Sequence, residues 1–213
     1  MNIFEPKLRS VGTLSDRTAE EIKNEPMLFS ADYSFAEKNG GPLTEEFLLL
    51  LDRSKDWIID TRVHMLMKGW YPCIGGWHCD NIPRNTENGQ PNYKNPPFVS
   101  NLILGVVDVG TGSLTEFLDG PVTLPDPPED LDSPLYGFWS KEINKQLAAG
   151  EIQSSIITNR SVIGFDSFTF HRGTPATGSG WRFFIRATTD TPQTAYNEIR
   201  QQVNTYIPVE AGW

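Results

Sequence analysis

Cysteine is nearly absent from this chain. The two present, Cys73 and Cys79, are too few and too close for a disulfide framework or a four-cysteine zinc site, so both are expected as free thiols. Basic charge is in deficit: 18 Lys and Arg face 27 Asp and Glu, for a formal net charge of −9. That is the wrong sign for a surface that gathers phosphates, and no basic cluster interrupts it, which argues against a nucleic-acid partner. Long apolar runs are missing too. No segment approaches the roughly 18 apolar residues of a membrane helix, and the stretch Met1 to Lys7 lacks the basic start and apolar run of a secretion signal. The expectation is a cytoplasmic protein with no membrane partner. No repeat or low-complexity tract is visible.

What is present is a globular composition, with 38% hydrophobic and 11% aromatic residues in 213, enough to surround a single core. Helices are expected from Leu43 to Arg53, capped by Thr44 and led by Glu45 and Glu46, from Pro134 to Ala149 with Gly150 as the C-terminal cap, and from Gln193 to Asn204. β-Branched and aromatic residues cluster in short runs bounded by turn formers. They predict strands over Ile58 to Lys68, Val99 to Val109, Leu114 to Leu118, Ile152 to Thr158, Ser161 to Phe165, Ser167 to His171 and Trp181 to Thr188. Short strands at this spacing suggest a sandwich or barrel with the early helices braced against it. Two turn-rich stretches, Asn81 to Pro97 and Pro121 to Pro134, have the length of binding loops or lids.

Histidine is as scarce as its chemistry is valuable: His64, His78 and His171 are the only three. If His78-Cys79-Asp80 is extended, side-chain alternation sends His78 and Asp80 to one face. The same rule puts Ser167, Thr169 and His171 together on the strand that His171 closes. Two imidazoles and a carboxylate on one side of a metal, with other positions open, suit non-haem Fe(II) and oxygen chemistry. His64 is expected as a packed or hydrogen-bonded strand histidine. Along Trp181 to Thr188, Arg182, Phe184 and Arg186 share a face, so two guanidinium groups leave an otherwise apolar strand in one direction. A guanidinium fork is shaped to hold a carboxylate in paired hydrogen bonds; salt bridges to nearby acids or snorkelling to solvent are the other uses of such a pair.

The set Trp77-His78-Cys79-Asp80, then His171, then Arg182 eleven positions later with Arg186-Ala187-Thr188 following, resembles the motifs of the Fe(II)/2-oxoglutarate-dependent oxygenases, nearest the taurine dioxygenase-like branch. Gly110-Thr111-Gly112-Ser113-Leu114-Thr115-Glu116-Phe117 is similar to that branch's Gly-Gly-Asp-Thr-x-Phe stretch, whose Thr helps bind the co-substrate and here corresponds to Thr115. The resemblance covers Trp77 to Thr188, about half the chain. It implies a mainly β fold, a double-stranded β-helix (a jelly-roll or cupin-like barrel) with flanking α-helices. The implied plan is a single oxygenase domain over 1–213, with helical support at 1–57, a barrel core at 58–190 and a helix or tail at 191–213. Residue by residue, His78, Asp80 and His171 would bind Fe(II), Arg182 would hold the distal carboxylate of 2-oxoglutarate, and Arg186 would lie near the iron, touching the co-substrate or an anionic substrate group.

The implied activity is oxidative decarboxylation of 2-oxoglutarate by dioxygen, coupled to hydroxylation or a related C–H oxidation of a small molecule. Trp70, Tyr71, Trp77 and Arg84 flank the first metal element as candidate substrate contacts, with Arg84 suited to an acidic molecule and the Asn81 to Pro97 loop placed as a lid. Two other readings remain at this point: a jelly-roll module that binds a metabolite or carbohydrate through structural histidines, and a metal cupin that needs no 2-oxoglutarate.

Overall fold

A computed structural model describes residues 1–128, 131 and 133–207. The N-terminal region carries β1 (Asn2–Phe4), β2 (Arg9–Thr13), α1 (Ala19–Lys23), β3 (Leu28–Phe29), α2 (Tyr33–Asn39) and α3 (Pro42–Leu48). The middle supplies β4 (Ile58–Leu66), β5 (Asn101–Val109), β6 (Thr115–Leu118), β7 (Val122–Leu124) and α4 (Leu135–Ala148). β8 (Ser154–Ile156), β9 (Ser161–Asp166), β10 (His171–Gly173), β11 (Gly180–Thr189) and β12 (Glu198–Ile199) follow. The structure is mainly β and its strand pairs are antiparallel, in a five-stranded sheet ordered β2-β9-β5-β11-β4 and a three-stranded sheet ordered β10-β6-β8. β1 pairs with β7, and β12 with β3.

β5 shows why the layers form. Its run Asn101-Leu-Ile-Leu-Gly-Val-Val-Asp-Val109 is apolar on both faces, as a strand covered from both sides requires. Leu102, Leu104 and Val106 pack with Phe117 of β6 and Phe165 of β9, which fills the space between the two sheets. Ile103 and Val107 point the other way, with Ile59, Phe183 and Ile185, into a core closed by Ile22, Ala36, Leu43 and Phe47 of α1 to α3. α4 covers the outer face of the smaller sheet through Leu135, Trp139 and Ile143, which meet Phe4, Leu118 and Phe170. The order is helices, large sheet, small sheet, helix, and the site lies between the sheets.

Several local expectations change. The helix expected from Leu43 begins at Pro42, whose fixed backbone angle suits a first helical position, and Thr44 is buried inside it rather than capping it. A first-turn N–H is met from a distance in sequence, since Glu25 Oε1 accepts from the buried Leu43 N–H at 2.6 Å. Ser167 to His171 is not a strand. The Asp166 carboxylate accepts from the Phe168 N–H and the Thr169 hydroxyl, at 3.1 and 3.0 Å, and this turn reverses the chain so that the strand starts at His171. Gln193 to Asn204 is irregular apart from the two-residue strand β12, not helical: its backbone is anchored to other segments, as in Tyr196 N to Ser30 O at 2.8 Å and Arg200 N to Met27 O at 2.6 Å. The Pro121 to Pro134 stretch contains β7, and part of it lies outside the described residues. α4 matches its expected span, and Gly150 follows it with φ of 72°, the left-handed conformation glycine supplies without strain. Among the described residues, no helix is long and apolar enough to cross a membrane.

Candidate metal centre

The centre is built on one backbone contact. His78 donates its N–H to the His171 carbonyl at 3.0 Å and accepts from the His171 N–H at 2.9 Å, an isolated antiparallel bridge at the end of β10. Residues paired in this way present their side chains on one side of the sheet, and the two imidazoles sit with ring centroids 4.7 Å apart. Alternation along the segment then acts as the sequence suggests. Trp77 and Cys79 enter the core against α4, while His78 and Asp80 turn to the cavity. α4 holds the segment, since the Trp77 N–H donates to Ser140 Oγ and its indole N–H to Asn144 Oδ1, both at 3.1 Å.

The outer ring nitrogens define what the pair can do. His78 Nδ1 lies 2.8 Å from the Gly76 carbonyl and His171 Nδ1 lies 3.0 Å from the Thr169 carbonyl. A carbonyl only accepts, so each neutral ring carries its proton on Nδ1 and leaves the Nε2 lone pair free. Burial and the neighbouring His171 both lower the His78 pKa, against the pull of Asp80, which keeps that lone pair available. The Nε2 atoms of His78 and His171 stand 3.9 and 3.4 Å from Asp80 oxygens, and all three ligand atoms fall within 4.8 Å of one another. Neighbouring donors on one metal ion with bonds of about 2.1 Å are roughly 3 Å apart, so the three groups would draw together around a bound ion. It is the cluster of this kind found among the described residues, and two imidazoles with one carboxylate is the donor set of open-sided iron sites.

The two arginines of β11 have different surroundings. Arg186 Nη1 binds Asp80 Oδ2 at 2.5 Å and its Nη2 reaches Asp60 Oδ2 at 3.4 Å, while Arg200 meets the other Asp60 oxygen at 3.3 Å. Burial would raise the Asp80 pKa, but Arg186 and the two histidines hold it well below the usual carboxylate range. Arg182 is 2% exposed and has no carboxylate partner. Its Nε donates to the Ser113 carbonyl at 2.8 Å, and its two terminal nitrogens have no acceptor among the described residues. Burial pushes its pKa down to about 10, so it remains charged at neutral pH. A buried charge without a partner costs several kcal/mol, which an anion in the cavity would offset.

Arg182, His78, Asp80 and His171 all line one cavity of about 120 Å³, together with Thr115, Phe184 and Arg186. Thr115 opens β6 opposite Gly173, and its side chain is 3% exposed. Two further residues lie on this wall that the sequence does not assign to the site. Arg62 and His64 of β4 lie opposite Phe184 and Arg182 in the strand register, so their side chains enter the same cavity. The signal was available in Asp60-Thr-Arg-Val-His64, where alternating polar residues interrupt an apolar strand. His64 is buried as expected, but neither ring nitrogen has a hydrogen-bond partner.

Burial, then the nearby Arg182 and Arg62 charges, lower the His64 pKa to about 3. Above pH 6.5 the ring is neutral folded or unfolded and contributes nothing. Below it the unfolded chain takes a proton that the folded protein refuses, at about 1.4 kcal/mol per pH unit. Between pH 7 and pH 5 the metal-free protein should lose about 2 kcal/mol on this account, and His64→Gln should be spared that loss in urea titrations. Equal losses in both proteins would show that His64 is not the group responsible.

No protein-family model and no curated protein matches the chain. Solved structures similar to it include AviO1 from Streptomyces viridochromogenes Tue57, with a TM-score of 0.43 and 14% identity over 89% of this chain and 92% of that one. CytC3 with Fe(II) and alpha-ketoglutarate has a TM-score of 0.43 and 12% identity over 87% of this chain and 73% of that one. EvdMO1 has a TM-score of 0.40 and 14% identity over 89% of this chain and 48% of that one.

Outside the inner cavity lies a cleft of about 990 Å³, which shares His78 and Asp80 with it and is walled by Ile82, Phe98 and Tyr136. Of the residues expected to touch substrate, Arg84 is on the rim of this cleft, exposed, with Nη1 donating to the Gly89 carbonyl at 2.8 Å. Trp77 borders the cleft, but its side chain is fully buried and stacked by Arg172 at 4.4 Å, so it positions the metal segment. Tyr71 lines neither the inner cavity nor the cleft; it forms a backbone bridge with Tyr206. Trp70 likewise lies outside both, accepting from the Ala176 N–H at 2.8 Å. The Asn81 to Pro97 loop borders the cleft and is docked on α4, where Gln90 Oε1 accepts from the Leu135 N–H at 3.0 Å. Cys73 and Cys79 are free thiols, and burial raises the pKa of each, so neither is primed as a nucleophile.

Proposed function

We propose that the chain is an Fe(II)- and 2-oxoglutarate-dependent oxygenase, a single double-stranded β-helix domain with flanking helices, acting on a small molecule. The observation that carries this reading is the pairing of two sites in one cavity. A His78, Asp80, His171 donor set with free lone pairs faces the same space as Arg182, a buried cation in no ion pair whose terminal nitrogens have no acceptor among the described residues. A metal cupin or a binding module accounts for the first or for neither; a dicarboxylate that also reaches the metal accounts for both.

Iron bound there, with 2-oxoglutarate and dioxygen, supplies the oxidising power for hydroxylation or a related C–H oxidation. The protein's part is orientation. The Gly76 and Thr169 carbonyls fix both histidine tautomers. Arg186, already neutralised by Asp80 and Asp60, positions the carboxylate ligand, and Arg182, unpaired and more deeply buried than Arg62, is the group that would hold the distal carboxylate of 2-oxoglutarate. Thr115 lines the same cavity, where its hydroxyl would add a hydrogen bond to the co-substrate, and Leu104 and Phe184 give that cavity apolar wall. Substrate enters through the outer cleft.

The test is reconstitution. Protein incubated with Fe(II), 2-oxoglutarate, oxygen and a panel of small molecules should hold about one iron per chain and release succinate. Iron retained with neither 2-oxoglutarate binding nor succinate would support a cupin instead; no iron at all would leave a binding module.

A further inference from the structure

We propose a second anion subsite, formed by Arg62 and Arg200 beneath the segment 200–206, that receives an oxyanion group of the substrate: a carboxylate, sulfonate or phosphate. Its role as a substrate subsite rests on the oxygenase reading, but its capacity to bind an anion does not.

Arg62 points inward from β4, partly buried, and among the described residues it makes no hydrogen bond and no ion pair; its guanidinium lies over the Phe184 ring at 5.7 Å. Burial and the charges of Arg186 and Arg200 all act against its own charge, opposed by Asp60 and Asp80. Arg200 spends one nitrogen on Asp60 and stacks on Phe29 at 4.5 Å, and its buried Nε has no partner. Between the two lies a cavity of about 150 Å³, walled also by Gln202, Asn204 and Tyr206. The backbone over it is pinned at both ends, by Arg200 N to Met27 O at 2.6 Å and by the paired bonds of Tyr206 with Tyr71 at 2.8 and 2.9 Å.

The interior charges say what is missing. Of four guanidinium groups, Arg62, Arg182, Arg186 and Arg200, only Arg186 and Arg200 form ion pairs among the described residues, with Asp60 and Asp80. In the oxygenase reading one co-substrate carboxylate goes to the metal and the other to Arg182. Arg62 and the free edge of Arg200 are left over, in a pocket with its own amide and hydroxyl groups. The pocket is also well placed: it shares Arg62 and Cys73 with the inner cavity, and Cys73 and Tyr206 with the outer cleft. A molecule lying in the cleft can therefore set an acidic group here while another part of it faces His78 and Asp80. Bidentate recognition of an oxyanion by paired guanidinium groups is the chemistry best suited to such a pocket.

The test is calorimetric, on the full chain loaded with Mn(II), which holds the metal site without turnover, and with saturating 2-oxoglutarate. The probes are butyrate, propanesulfonate, inorganic phosphate and, as the uncharged control, butyramide. At least one anion should bind and butyramide should not. Arg62→Gln and Arg200→Gln should each weaken that binding at least about tenfold, the loss of one charge-assisted hydrogen bond, while 2-oxoglutarate affinity stays within threefold by the same measurement. Two results would overturn the proposal: no anion binds the loaded protein, or Arg62→Gln weakens 2-oxoglutarate instead. Failure of 2-oxoglutarate to bind the wild-type protein would count against the oxygenase reading alone, and Arg62-dependent anion binding in that case would still support the subsite.

Discussion

His78→Ala is expected to reduce bound iron from about one per chain to background, with metal affinity lowered by at least about 100-fold, beyond the 10- to 100-fold typical of losing a group that merely orients a ligand. The reason is the geometry of the donor set. His78 contributes one of three ligand atoms, and the free Nε2 that it offers is prepared by a single carbonyl at 2.8 Å. Folding should be spared, because the bridge to His171 is made by backbone atoms that alanine retains. Stability measurements separate the two effects. A ligand at 100 times its dissociation constant stabilises the folded state by about 2.7 kcal/mol. Adding Mn(II) should therefore raise the melting temperature of the wild-type protein and leave that of His78→Ala unchanged, with equal melting temperatures for the two metal-free proteins. Full iron content and an undiminished Mn(II) shift in the variant would remove the triad as the metal site.

Much of this centre was legible because it depends on short-range geometry. Period-2 alternation puts His78 and Asp80 on one side and Trp77 and Cys79 on the other, and it aligns Arg182, Phe184 and Arg186 on β11. The larger strands follow from their apolar and β-branched runs. What escaped depends on contacts distant in sequence. His171 was placed by extending a strand through Ser167, whereas Asp166 bends that segment with its own side chain, and the histidine reaches the cavity from the strand beyond the turn. The Thr44 cap failed because Glu25, 18 positions away from Leu43, supplies the acceptor. The polar 193–204 segment has a helical composition, yet its backbone partners lie on residues 27 and 30. Arg62 and His64 are not assigned to the site from sequence for a related reason: a polar residue in a strand declares itself as part of a site only when the register shows that it faces Arg182 and Phe184.

Arg182→Gln should raise the Kd for 2-oxoglutarate by about 30-fold to more than 1000-fold, since removing one partner of a buried charge pair costs roughly 2–5 kcal/mol. The same substitution should leave the apo protein equally stable or more stable. This opposition of signs follows from the lack of an ion pair at the Arg182 guanidinium, which is 2% exposed and hydrogen-bonded only through Nε to Ser113, with Asp108 on the neighbouring strand acting on it only beyond ion-pair distance. Without an anion its charge is a desolvation cost with one hydrogen bond in return, and replacing unpaired buried charge by a neutral group of similar reach relieves that cost. Arg182→Lys should recover part of the affinity by restoring charge, but not all of it, because an ammonium cannot make the two parallel hydrogen bonds of a guanidinium fork. Arg186 provides the contrast. It is paired with Asp80 and Asp60, so Arg186→Gln should destabilise the apo protein by leaving two carboxylates under-compensated. Calorimetry with Mn(II) and 2-oxoglutarate, alongside urea unfolding of the metal-free proteins, reads both signs. An Arg182→Gln protein that binds 2-oxoglutarate within threefold of wild type would show that the co-substrate carboxylate is held elsewhere. One that loses stability as Arg186→Gln does would show that Arg182 is already paired within the fold.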